Sequence, residues 1–138
     1  NSKKETLKGR IRERLANSKN ALVILSSDTR KSGSMLSYEI EEAADNYKLP
    51  LIVTYVDYQI VATPDQLSGY WPYALSSRIG NSVVRAIHIP FMKGAILDAI
   101  GQFNLSKLPG TAKNYYNEQA HRKFGAISVG DNFTNTKK

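Results

Sequence analysis

The sequence predicts an α/β fold of three layers, with a central parallel sheet and helices on both faces. Three short aliphatic runs, at residues 21–25, 51–56 and 86–90, have the length and β-branched content of strands buried in a parallel sheet. Stretches with helical spacing separate or follow them, and alternating strand and helix units make such a sheet parallel. The length, 138 residues, is that of one domain with a substantial core.

The first element is a helix. Ser2 and Glu5 have the spacing of a capping box, and Leu7, Ile11 and Leu15 recur every four residues as one apolar stripe. Lys3, Lys4, Lys8, Arg10, Arg12 and Arg14 cover the rest, until Asn17, Ser18 and Asn20 break the helix. The run at 21–25 then predicts a strand covered on both faces. It ends in Ser26, Ser27, Asp28 and Thr29 and a polar, glycine-containing stretch to Ser34. That composition reads as a strand-to-helix loop, the place where open α/β sheets bind ligands.

A second helix is expected over 35–48, burying Met35, Ile40, Ala43, Ala44 and Tyr47 and made acidic by Glu39, Glu41, Glu42 and Asp45. Pro50 ends it and the strand at 51–56 follows. Residues 58–82 read as irregular, punctuated by Pro64, Gly69, Pro72 and Gly80. The cluster Tyr70, Trp71, Pro72, Tyr73 is open to three readings: packing anchor, partner surface or pocket wall. The anchor is the commonest fate of a tryptophan. The strand at 86–90 leads into a helix over 91–103, with Met92, Ile96, Leu97, Ile100 and Phe103 at helical spacing. One more helix is expected over 115–124, and 125–138 reads as a weakly packed tail. The chain opens on a helix where such folds usually open on a central strand. Either the domain starts differently or an N-terminal strand is missing from it.

The formal net charge is +7, and it is concentrated at the two ends. Residues 1–19 carry +5 and residues 107–138 carry +4, while 20–106 carry −2. A nucleic-acid reader would place a basic stripe with interleaved aromatics on its folded surface, so nucleic acid is not the expected partner. The end charges read as solvated helix faces and a polar tail. No apolar run approaches the length of a membrane span, so no membrane partner is expected and a cytoplasmic location is. The absence of cysteine removes disulfides, thiolate metal sites and a cysteine nucleophile.

Several catalytic signatures are missing. There is no phosphate-binding G-x-x-x-x-G-K-[ST] loop, no G-x-G-x-x-G after a strand and no G-x-S-x-G elbow. His88 and His121 lie far apart without ligand spacing, so no metal is expected. His88, between two isoleucines, reads as a core or strand-end histidine, and His121 as exposed in the tail.

What remains is the stretch from Asn17 to Asp57: N-S, then A-L-V-I-L-S, a polar loop, S-Y-E-I-E-E-A, and L-P-L-I-V-T-Y-V-D. Here the chain resembles the TIR-like family, particularly its prokaryotic branch, which includes the TIR-like proteins of Thoeris anti-phage defence. Glu39, Ile40 and Ala43 match the E-I-x-x-A part of the family's helix motif. The likeness covers roughly residues 7–104. The family's tryptophan before the glutamate is replaced by the Met35, Leu36 region, and its first strand and helix have no counterpart here.

The resemblance implies a flavodoxin-like, TIR-like domain over residues 1–105, its opening strand absent, and a C-terminal extension over 106–138. It implies cleavage of NAD at the nicotinamide–ribose bond with Glu39 as the catalytic carboxylate. Ser26, Ser27 and Tyr38 are expected to contact ribose or phosphate at the same edge. NAD or a related nucleotide would be the substrate, with no separate cofactor. The expected protein partner is another copy or a TIR-like partner. A non-catalytic adaptor working by protein–protein assembly is the alternative.

Overall fold

The structure, a computed structural model, describes residues 2–29 and 35–126. The predicted loop through 30–34 and the tail beyond 126 lie outside the described residues, as does the side chain of Ser2 with its predicted capping box.

Among the described residues four strands form one sheet: β1 (Ala21–Leu25), β2 (Leu51–Tyr55), β3 (Ala86–Pro90) and β4 (Asn114–Tyr115). Their order in the sheet is β1-β2-β3-β4 and every pairing is parallel, as predicted for the first three. Side chains alternate between faces, so the register sorts the core. Val23, Val53 and His88 share one face, while Leu22, Ile52 and Ile87 share the other.

The first face packs against α1 (Ser2–Ala16), α2 (Leu36–Glu41) with the turn after it, and α3 (Tyr73–Gly80), through Leu15, Ile40, Ala43, Leu75 and Ile79. The second packs against α4 (Lys93–Gln102) and α5 (Glu118–Lys123), through Ala95 and Ala99, with Phe103 and Phe124 beside them. These are the two helical layers of the predicted α/β architecture.

Several expectations are corrected. β1 is not covered on both faces. It is an outer strand of the described sheet, and Ile24 is 44% exposed while Val23 and Leu25 are buried. α4 lies across β2 and β3, so the second face of β1 is covered only in part: Leu22 packs beside that cluster while Ile24 is exposed. The α1 stripe is buried only at its end, with Leu7 44% exposed and Leu15 2%. The second helix ends earlier than predicted and changes winding. After α2 a π-helical turn runs over Glu42–Asn46, Lys48 adopts φ +54°, and the Leu49 amide returns to the Ala43 carbonyl at 2.9 Å.

Residues 58–82 are more regular than they read. Pro64 opens a 3₁₀ stretch over Pro64–Tyr70, and Pro72 caps α3. Both prolines stand at helix starts, where a missing N–H costs nothing. Trp71 is the packing anchor, buried and hydrogen-bonded to Tyr55 at 2.8 Å. In α4 the buried face is rotated from the bulky stripe. Ala95 and Ala99 face the sheet, while Leu97 and Ile100 are exposed, because small side chains let the helix lie close. Past residue 105 the chain adds β4 and α5 to the same sheet, and α5 is shorter than the predicted helix. His121 is fully buried rather than exposed. Its Nδ1 donates to the Asn117 carbonyl at 2.9 Å and its Nε2 accepts the Val61 amide at 3.1 Å.

Candidate functional site

Glu39 stands in the first turn of α2, its amide bonded to the Met35 carbonyl at 2.9 Å. Ile40 points into the core and is fully buried. The step of about 100° per residue therefore turns Glu39 off the core face, toward α1. There its carboxylate accepts from the Arg14 guanidinium in an ion pair. The Glu39 side chain is 20% exposed and that of Arg14 58%.

The pair borders a cleft of about 180 Å³ lined by Arg14, Leu15, Ser18, Asn20, Ala21, Leu22 and Glu39. Its walls are the last turn of α1, the turn that follows, and the start of β1. The cleft thus lies at the amino end of an outer strand, and not in the crevice beyond the strand carboxyl ends where the sequence suggested it. Glu39 faces the last turn of α1, through Arg14, rather than that crevice.

Tyr38 faces the same way. Its hydroxyl accepts from Arg12 at 2.6 Å, and Lys8 lies 5.1 Å from the centre of its ring. The hydrogen bond to Tyr38 is the main reason that the Arg12 guanidinium is held above its ordinary pKa. Tyr38 and Glu39 are therefore both clasped by α1.

Ser26 and Ser27 are elsewhere. They follow β1 at its carboxyl end and are absent from the lining of the Glu39 cleft. The Ser26 hydroxyl accepts the Asp28 amide at 3.3 Å, and the Ser26 carbonyl accepts the Thr29 hydroxyl at 2.9 Å, so this serine shapes a tight turn. The structure brings together two of the four predicted residues and leaves the two serines apart. A depression of about 140 Å³ follows β2, lined by Tyr58, Ile60, Val61, Ala62, Thr63, Gln66 and Leu67, and it contains none of the four.

Arg14 is the residue that sequence reasoning missed. In the sequence it reads as part of the solvated basic face of α1. The signal was present in the apolar spacing: burying Leu15 against the core forces its neighbour Arg14 alongside α2.

A carboxylate beside a guanidinium in a small cleft can stabilise a cation on one side while the guanidinium holds an anion on the other. Among the described residues there is no group of three or more His, Cys, Asp or Glu placed to hold a metal. No helix among them is long and apolar enough to cross a membrane.

Comparison with known proteins matches residues 1–60 to the family model described as Thoeris protein ThsB, TIR-like domain. No curated protein matches the chain. The matched stretch contains α1, β1, α2 and β2, and with them Arg14, Ser26, Ser27, Tyr38 and Glu39. Residues 1–60 are thus similar to the TIR-like domain of the Thoeris ThsB family, which is related to defence.

Proposed function

We propose that this TIR-like protein cleaves NAD at the nicotinamide–ribose bond and so produces an ADP-ribose-type signal in cytoplasmic anti-phage defence. The observation that carries the reading is the position of Glu39, whose carboxylate is sheltered in a cleft and held by one cation. In the reaction the glycosidic C–N bond breaks and its electron pair leaves on the pyridine nitrogen, giving neutral nicotinamide. The ribose C1′ becomes oxocarbenium-like, and the Glu39 carboxylate opposes that charge. A water oxygen then bonds to C1′ and loses its proton, or a nucleophile within the same molecule closes a ring.

The cleft is the size of a ribose rather than of a dinucleotide, so the rest of the substrate would extend along the surface. Tyr38, next to Glu39 on α2, is placed to border that path. Ser26 and Ser27 would take part only in a site that extends to the carboxyl end of β1.

A second reading is favoured by β1. Its outer position and the exposed Ile24 suit an adaptor that assembles with another copy or a TIR-like partner through that edge. One experiment separates the two. The intact protein is incubated with NAD and free nicotinamide is measured. Release that grows with protein concentration supports the enzyme, and no release under any condition that supports assembly leaves the adaptor.

A further inference from the structure

Arg14 borders two depressions, and only one of them contains Glu39. The second is a groove of about 260 Å³ lined by Leu7, Arg10, Ile11, Arg14 and Met35. Leu7, Arg10, Ile11 and Arg14 succeed one another at steps of three, one and three residues, which puts all four on one side of α1. Arg10 and Arg14 are one turn apart, about 6 Å along the helix axis. The groove therefore has an apolar floor, two guanidinium groups and, among the described residues, no carboxylate in its lining. A lone apolar ligand would leave both charges unanswered. An anion with several oxygens would answer them, since each guanidinium fork matches a pair of phosphate oxygens.

Arg14 cannot direct its fork fully at Glu39 and at an anion in the groove together. We infer that the groove is a diphosphate subsite and that Arg14 is a latch, holding the Glu39 carboxylate until a diphosphate draws it away. The inference rests on the NAD reading for the identity of the diphosphate. Its physical consequence is that Glu39 is neutralised by an ion pair in the empty site and carries an unopposed charge once the substrate is seated. Binding at the non-reacting diphosphate then raises the electrostatic stabilisation available at the ribose. Arg10, with no carboxylate beside it in this groove among the described residues, serves as the fixed half of the subsite.

The test titrates the full chain with inorganic pyrophosphate by calorimetry, at one fixed salt concentration. Arg10→Ala and Arg14→Ala are each expected to weaken binding about tenfold or more, the usual effect of losing a charge-assisted hydrogen bond. Glu39→Gln removes the competitor for Arg14 and is expected to bind pyrophosphate more tightly than the wild type. Glu41→Gln, on an exposed side chain outside both depressions, is expected to bind as the wild type does. With NAD as substrate, the loss in Arg14→Ala is expected mainly in KM rather than in kcat. Unchanged pyrophosphate affinity in both arginine variants overturns the subsite. Weaker binding in Glu39→Gln, or a loss in Arg14→Ala confined to kcat, overturns the latch. If the wild type binds pyrophosphate in this pattern but releases no nicotinamide, the NAD reading fails and the latch stands.

Discussion

The Tyr55 hydroxyl donates to Nδ1 of His88 at 2.6 Å, and the surrounding groups fix that direction. The other ring nitrogen, Nε2, lies 2.9 Å from the Ala112 carbonyl, which can only accept, so Nε2 carries the proton. Nδ1 is then the acceptor. The Tyr55 oxygen in turn accepts from Trp71 Nε1 at 2.8 Å. This chain of three hydrogen bonds joins β2, β3, the residue before Pro72 and the segment leading to β4. Tyr55, His88 and Trp71 are all buried, so each bond replaces water that could not reach them.

Tyr55→Phe is therefore expected to be costly. It leaves the indole N–H and His88 Nδ1 without partners inside the core. Each such group costs about 1–3 kcal/mol, so a loss of about 2–6 kcal/mol is expected in urea unfolding. Tyr58→Phe is the comparison. Its hydroxyl meets that of Tyr70 at 3.2 Å where both are only part-buried, and its removal should cost under about 1 kcal/mol.

His88 also sets a pH dependence. Burial pushes its pKa down from 6.5 to about 4, against a smaller opposing effect of its hydrogen bond to Ala112. The unfolded chain thus binds this proton more readily than the folded one. The stability it contributes is complete above pH 6.5 and is lost as pH falls toward 4. The whole effect is worth about 3 kcal/mol. Burial lowers the pKa of His121 too, and it acts in the same direction. Urea midpoints measured between pH 7 and 4 should fall steadily, before the Asp45 carboxylate, held below its ordinary value by Arg78, begins to titrate. In His88→Gln the slope over this interval should flatten, whatever its stability at pH 7.

The same residues show what the sequence could and could not disclose. Ile87 and Ile89 mark a buried strand, so the core state of His88 was legible from its neighbours. That of His121 was not. It stands in a helix with few aliphatics, and the distant Val61 amide that it accepts from is not visible in the local sequence. β1, β2 and β3 were legible because an aliphatic run has few other uses. β4 is two residues long and owes its place to pairing with β3, which no local pattern announces. The bulky stripe of α4 misled because Ala95 and Ala99 hold the sheet through close approach rather than through area. At the site, Glu39 was legible only through the family motif. Its partner Arg14 depends on how α1 docks, and the two serines sit where the loop leads rather than where the glutamate points.

Lys48 offers a test of the winding after α2. Its φ of +54° lies in the left-handed region, where a β-carbon crowds the backbone. Lys48→Gly relieves that crowding at the point where the Leu49 amide closes onto Ala43. A gain of about 0.5–1 kcal/mol is expected in thermal or urea unfolding, after the greater chain entropy of glycine is set against the relief. Lys48→Ala keeps the β-carbon and should gain nothing. A gain in both variants would assign the effect to the lysine charge instead of the backbone.

Glu39→Gln tests the catalytic assignment. The amide keeps the size and shape of the side chain but cannot oppose an oxocarbenium charge. Removing such preorganised stabilisation costs roughly 3–4 kcal/mol, or on the order of a hundred- to a thousandfold in nicotinamide release. The variant should still fold. The ion pair it loses is at the surface, where such pairs are worth about 0–1 kcal/mol, and Arg14 remains largely in water. Glu41→Gln and Glu42→Gln are the controls. They point about 200° and 300° around the helix from Glu39. Glu41 is exposed, and the Glu42 carboxylate accepts from Asn46 at 2.7 Å, away from the cleft. Glu42 is the nearer in direction and so the stricter control. Equal loss in all three variants would point to the general charge of the helix. Undiminished release in Glu39→Gln would remove this carboxylate from the chemistry and leave the cleft to Arg14 alone.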